Sequence, residues 1–213
     1  MRRSAGVSRP VPLTRMIQVV LIRPGATAYD EQKRVQGVLD IPLSERGRLE
    51  VAQLAATLPD ELKGVELSAL YCGPGESVAH TAEAVGKVLG LRPRRVDELR
   101  NLDQGLWQGL QIDEIKRRNL RVFRQWQDDP LTVCPPHGEM VEDALDRIKA
   151  ALKPLIKRHH DETIALVISE PLAQLISGYL RRDPRVRLDD DVPTGRFEQI
   201  DVDAEVGRNG NIH

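Results

Sequence analysis

The stretch MIQVVLIRPG, Met16–Gly25, decides how the rest of the chain is read. A mostly apolar run rich in β-branched residues stops abruptly at Arg23-Pro24-Gly25. That pattern is a buried strand that delivers a cation into a turn at its carboxyl end. In open α/β sheets, ligands sit outside the carboxyl ends of the strands. Arg23 is therefore the first candidate site residue.

Outward from this strand, Ser44 is placed to cap a helix whose apolar positions are Val51, Leu54, Ala55 and Leu58, with Pro59 as its stop. Gly47 in the first turn of that helix costs helical stability, which implies close approach of another backbone. Residues 66–72 read as a second strand, broken by Gly73-Pro74-Gly75. Val78, Ala82, Val85 and Leu89 mark a helix that ends at Gly90. A short strand is expected over 94–99 and a charged helix over 112–127, anchored by Ile112, Ile115, Phe123 and Trp126. The Pro-rich loop 130–138 leads into the longest helix, about 139–159, which Pro154 is expected to kink. Residues 163–169 form a third apolar strand, Pro171 opens a further helix, and 197–202 are the last strand. Strands alternating with helices indicate an α/β fold with a mostly parallel sheet covered on both faces.

The chain has 213 residues, enough for one large domain. Aromatic residues make up only 3%, so the core is expected to be built from Leu, Val, Ile and Ala. A formal net charge of −1 gives no electrostatic footprint for nucleic acid or an anionic membrane. No apolar run reaches the length of a membrane span. The two cysteines, Cys72 and Cys134, make no disulfide framework. Residues 1–15 are basic without an apolar centre, so they read as a flexible leader rather than a secretory signal, ahead of a single domain over 16–213 in a cytoplasmic protein.

Further motifs keep a recognisable order: Arg23-x-Gly25-x-Thr27, Gln36-Gly37, Asp40-x-Pro42-Leu43-Ser44, Gly47, Thr81-Ala82, Glu98-Leu99-Arg100, Gly105-x-Trp107-x-Gly109-Leu110, Pro135-Pro136 and Gly138-Glu139. None is specific alone. Together, over about residues 16–202, they make the chain resemble the histidine phosphatase (phosphoglycerate mutase-like) superfamily. The resemblance implies a three-layer α/β/α sandwich with its pocket at the carboxyl edge of the sheet. It also implies phosphoryl transfer through a phosphohistidine. For this chain no cofactor and no metal are expected.

At the positions that carry this chemistry the residues differ. The nucleophilic histidine of the family falls on Pro24, which has no lone pair to offer. A phosphate-binding asparagine past Thr27 falls on Asp30, and the second phosphate-clamping arginine falls on Ser77. The family's acid falls on Asn101, and an amide cannot shuttle a proton at neutral pH. The second histidine falls on Glu170. Arg23 alone keeps its family identity among the residues doing chemistry. One arginine can matter by roughly 10³–10⁵ in phosphoryl transfer, and this pocket loses one while gaining two carboxylates. Like charges about 4 Å apart repel by on the order of 4 kcal/mol at an effective dielectric of 20. The expectation is an internal ion pair between Arg23 and Asp30 or Glu170, occupying the place of the phosphate.

Other residues have competing readings. Glu170 next to Pro171 suits a helix N-terminus, a salt bridge to Arg23, or a metal ligand. Cys72, at a strand-to-helix turn, is a buried inert thiol or a low-pKa thiolate. Ser169 echoes a hydrolase nucleophile without the flanking glycines. His137 in the Pro-rich loop is a surface residue or a substitute pocket histidine. His80 reads as a core or edge histidine, His159-His160 as helix-end residues, and His213 as tail. The leading expectation is a catalytically inactive pseudophosphatase that binds or regulates an unknown protein or small molecule, with a homo-oligomer open. The alternatives are a phosphomonoesterase working through replacement residues or a metal, and a structural or oligomer-forming protein without a ligand.

Overall fold

The computed structural model describes residues 16–183, 185, 188 and 192–203. The basic leader, His213 and much of the charged run 181–191 lie outside the described residues. Five strands form one sheet: β1 (Met16–Ile22), β2 (Leu67–Cys72), β3 (Pro93–Arg95), β4 (Thr163–Val167) and β5 (Phe197–Asp203), in the order β3-β2-β4-β1-β5. All neighbours run parallel except β5, which pairs antiparallel with β1.

Strand periodicity divides the core. Side chains alternate across a sheet with a period of two. Ile17, Val19 and Leu21 of β1 face one apolar cluster, together with Ala69, Tyr71, Ile164 and Leu166. Val20 and Ile22 face a second cluster with Leu70, Cys72, Ala165 and Val167. The first face is covered by α4 (Ile112–Asp128), α5 (Val141–Arg158) and α6 (Leu172–Arg181). The second is covered by α2 (Glu45–Glu61) and α3 (Glu76–Leu89). A short helix, α1 (Ala28–Glu31), sits inside the segment that sequence alone reads as a polar loop.

The register brings the site together. Ile22 pairs with Val167 of β4 and with Phe197 of β5, while Cys72 also pairs with Val167. The residues that follow β1, β2 and β4, and the start of β5, therefore share one end of the sheet. The backbone amide of Ile168 donates to the Ile22 carbonyl (3.0 Å), and that of Gly73 to Val167 (3.1 Å), continuing the ladder into these turns.

Several expectations need correction. Pro59 does not stop α2, which runs to Glu61. So close to the carboxyl end, the missing N–H removes a single bond, and Leu62 still donates to the Leu58 carbonyl. Pro154 lies inside an uninterrupted α5. The irregular backbone is in α4 instead, at Asn119 (φ −143°, ψ 49°). The expected strand over 94–99 is three residues of β3 followed by a 3-10 turn at Asp97–Leu99. The core is not purely aliphatic, because both tryptophans, Phe123 and Tyr71 are buried in it.

Gly47 has the role its position implies. A Cβ there would lie 1.9 Å from the Ala26 carbonyl oxygen, and one on Gly25 would lie 2.4 Å from the Gly47 carbonyl oxygen. The turn after β1 is thus seated directly on the first turn of α2, whose Ser44 cap accepts from the Gly47 amide. Gly47→Ala should destabilise the protein by roughly 1–3 kcal/mol through overpacking, even though alanine is the better helix former by about 1 kcal/mol. Chemical denaturation checks this, and a neutral or stabilised variant would contradict the close seating.

Candidate functional site

Arg23 leaves the end of β1 with a side chain that is 13% exposed. A largely buried guanidinium needs anionic partners. It has two: Nε donates to Glu170 Oε1, and a terminal nitrogen donates to Glu198 Oε1 at 3.0 Å. The second oxygen of Glu198 accepts from Arg181 at 2.8 Å. The second oxygen of Glu170 accepts from the Gln174 backbone amide at 3.3 Å, in the first turn of α6. Glu170 therefore fills two of its readings at once, as helix N-terminal carboxylate and as partner of Arg23. The metal reading gets no companions: among the described residues, no group of three or more His, Cys, Asp or Glu is arranged to hold an ion.

Charge balance follows from this geometry. Arg23 stands above its ordinary pKa: burial opposes the charge, and the charges and hydrogen bonds of Glu170 and Glu198 outweigh it. Glu170 is also raised, chiefly because burial disfavours its carboxylate, although Arg23 and Gln174 pull the other way. Glu198 is lowered: burial would raise it, but its bonds and charges with Arg181 and Arg23 prevail. Glu170 contributes more than Glu198 to holding Arg23 in its charged form.

Asp30 does not join the ion pair. It is exposed, and its Oδ2 accepts from the Thr27 amide (2.6 Å) and hydroxyl (2.7 Å). The Thr27 hydroxyl in turn accepts from the Tyr29 and Asp30 amides, which completes a capping box on α1. A local partner three residues away wins over a distant arginine. The Thr-x-x-Asp spacing is a readable signal for it.

Asn101 is occupied in full. Its Nδ2 donates to the carbonyls of Glu170 (2.7 Å) and Gly37 (3.0 Å), and its Oδ1 accepts from Leu102 (2.9 Å) and Leu172 (3.3 Å). Those four bonds use every donor and acceptor position of an amide. Where the family resemblance puts a proton donor, a rivet joins loop 37, the 170 turn and the start of α6.

One cavity of about 150 Å³ touches Arg23, Pro24, Thr27, Asp30, Ser77 and Glu170 together. Six of the seven family-equivalent positions thus converge, and Asn101 sits behind them. Pro24 and Ser77 are buried, the latter in the first turn of α3. His137 does not line the cavity. It lies exposed, at φ +60°, in the turn after Pro135-Pro136, so the substitute-histidine reading has no geometric support. Cys72 is buried and its thiol is raised by burial, which favours the inert reading. His80 is exposed, whereas His159 is buried against Tyr71, Ser68 and Glu162, away from this cavity. Ser169 lines the cavity beside the ion pair. A wider cleft of about 660 Å³ adjoins it past Asp30, Arg34 and Thr194, lined by charges of both signs.

Sequence reasoning missed three features of this site. Glu198 enters only through the antiparallel β1–β5 pairing, which no local pattern announces. Gln104 and the aromatic wall of Trp107, Phe123 and Trp126 also line the cavity. The aromatics were legible only as helix anchors or motif members.

Because Glu198 is held below its ordinary value, its stabilising contribution is present above the usual carboxylate range and is lost as pH falls through the depressed value. Glu170, being raised, tilts the opposite way, favouring the fold most when protonated and less as pH rises through its raised value. Glu198→Gln should therefore cost roughly 1–2 kcal/mol at neutral pH. Its stability gap to the wild type should close in acid. Denaturant melts across that range test this, and a gap that stays constant into acid would contradict the assignment.

The model of the histidine phosphatase superfamily (branch 1) matches residues 19–200. Phosphoserine phosphatase 1 of Hydrogenobacter thermophilus is 29% identical over 152 residues, covering 71% of this chain and 70% of that protein. A bifunctional protein of Mycobacterium tuberculosis is 28% identical over 150 residues, and there the match spans only 40% of the relative's length. A mycobacterial glucosyl-3-phosphoglycerate phosphatase, solved with VO3, superposes with a TM-score of 0.71 at 27% identity, covering 79% of this chain and 83% of that one. The extent of the family match, the five-stranded sheet and the converging pocket agree: this chain belongs to the histidine phosphatase superfamily, branch 1.

Proposed function

We propose that this chain is a pseudophosphatase: a superfamily member that does not transfer phosphoryl groups and uses its pocket as a binding or regulatory module. The observation that carries the reading is the Arg23–Glu170–Glu198 cluster beside Pro24. The one cation retained from the family set already has two carboxylates, and the adjacent position offers no nucleophile. A phosphate dianion entering here meets the two carboxylates that neutralise Arg23, and like-charge repulsion at close range is worth several kcal/mol. Asn101 cannot protonate a leaving group, being an amide with all its hydrogen-bonding positions in use. The partner is a small molecule or another protein, with self-association as one form of it, and the setting is the cytoplasm. Among the described residues, no helix is long and apolar enough to cross a membrane.

A second reading has its own support. The similar proteins carry enzyme names, phosphatase among them, and that favours a phosphomonoesterase working through replacement groups or an added metal. In that reading Ser77, Ser169 or a bound ion takes over part of the lost chemistry.

A generic phosphomonoester separates the two. With p-nitrophenyl phosphate, with and without divalent metals, turnover should not exceed the blank and no phosphoprotein should form. Pro24→His alone should remain inactive, since Arg23 is still committed and the acid is still missing. Turnover by the wild type would overturn the pseudophosphatase reading, and turnover by Pro24→His would show that Arg23 and the missing acid do not by themselves prevent the chemistry. Metal-independent turnover lost in His137→Ala would point to a relocated nucleophile.

A further inference from the structure

Helix α4 presents arginines that have no carboxylate beside them. Arg117, Arg121 and Arg124 are exposed. Of the arginines of this helix, Arg118 alone is paired with an acid among the described residues, Glu114 at 2.7 Å. Between these cations Leu120 and Val122 are 47% and 40% exposed. The 3-10 turn Pro130–Thr132 packs on the end of the helix, where Gln125 donates to the Thr132 hydroxyl at 3.0 Å, and it adds an exposed Leu131. Exposed aliphatic side chains among arginines have the composition of a protein interface, where lysine and glutamate are depleted.

The basic stretch is short. Asp113 and Glu114 precede it, and Asp128 and Asp129 follow it. From Lys116 to Arg124 the helix rises only roughly 13 Å. A nucleic-acid duplex or an anionic bilayer laid along α4 would press on the flanking acids as well, whereas a compact acidic patch would not. The chain itself carries such a patch. Helix α5 covers the same face of the sheet as α4, and its first turns expose Glu142, Asp143 and Asp146. Asp146 pairs with its neighbour Lys149 at 2.9 Å, and no cation pairs with the other two among the described residues. With a net charge of −1, two copies of the chain repel each other little.

We propose that the outer face of α4 docks on the first turns of α5 in a second copy of this chain. Both patches lie on one side of the sheet, so a two-fold axis between them makes the contact twice, α4 on the partner's α5 and α5 on the partner's α4. Leu120 and Val122 are covered at its centre. Ion pairs from Arg121 and Arg124 to the acids of the facing α5 fix the register. None of these residues pairs with Arg23, so the contact stands whether or not the pocket turns over a phosphoester.

Sedimentation equilibrium of the full chain reads the contact. The wild type should dimerise, roughly tenfold more weakly at about 0.5 M salt than at about 0.05 M, because salt shortens the reach of exposed charges. The double variant Arg121→Glu with Arg124→Glu should weaken the dimer by roughly tenfold or more, and so should Glu142→Lys with Asp143→Lys, since each change enters a two-fold contact twice. Mixed in equal amounts, the two double variants should dimerise again, because each supplies the charge the other has lost. If the α5 variant misfolds by circular dichroism, the α4 variant and the salt series still decide. A wild type that stays monomeric, a dimer indifferent to the α4 variant, or two folded variants that do not dimerise when mixed overturns the proposal. So does a monomeric wild type that the α4 variant destabilises, because the arginines are then answered within one chain.

Discussion

A guanidinium carried to the end of a buried strand has to find negative charge, because desolvating an unpaired cation costs far more than a domain's marginal stability allows. In a phosphate-handling member of this fold the substrate can supply that charge. Here the protein supplies it, from Glu170 on the turn after β4 and Glu198 on β5. Each partner is itself held by a second contact: Glu198 by Arg181, and Glu170 by the amide of Gln174. The pocket is therefore built from the inside, with its electrostatics settled before any ligand arrives.

The neighbouring substitutions are consistent with that arrangement. Asn101 joins the Glu170 backbone to Gly37 and to the start of α6, so the turn that positions Glu170 is itself riveted. Asp30 locks α1 through its capping box and stays out of the ion pair. Pro24 continues the buried turn, which Gly25 and Gly47 allow to lie against α2. Residues at positions where the family resemblance implies chemistry here hold the fold together, with every local choice agreeing with the global one.

Much of this was legible in the chain. The nearly continuous apolar runs over 17–22 and 163–167 predict strands buried on both faces, and the two apolar clusters divide along the alternation of side chains across the sheet. Ser44 and Gly47 announce a capped helix pressed by another backbone. Arg23 and Glu170 can be placed in one pocket because parallel neighbours end at the same edge. Glu198 could not, because an antiparallel edge strand brings distant residues together by register alone. Pro59 does not end α2, because tertiary packing of an apolar stripe outweighs a single missing hydrogen bond, and Pro154, where a kink is expected, lies within the continuous helix α5.

The account turns on whether Arg23 is still available to an oxyanion. Calorimetric titration of the wild-type chain with inorganic phosphate, repeated with vanadate as a transition-state-like oxyanion, measures this directly. If Glu170 and Glu198 have taken the place of the anion, neither titrant gives saturable heat at millimolar concentration. Saturable binding of either one that vanishes in Arg23→Met would show that the arginine still recruits phosphate, contradicting the internally closed site.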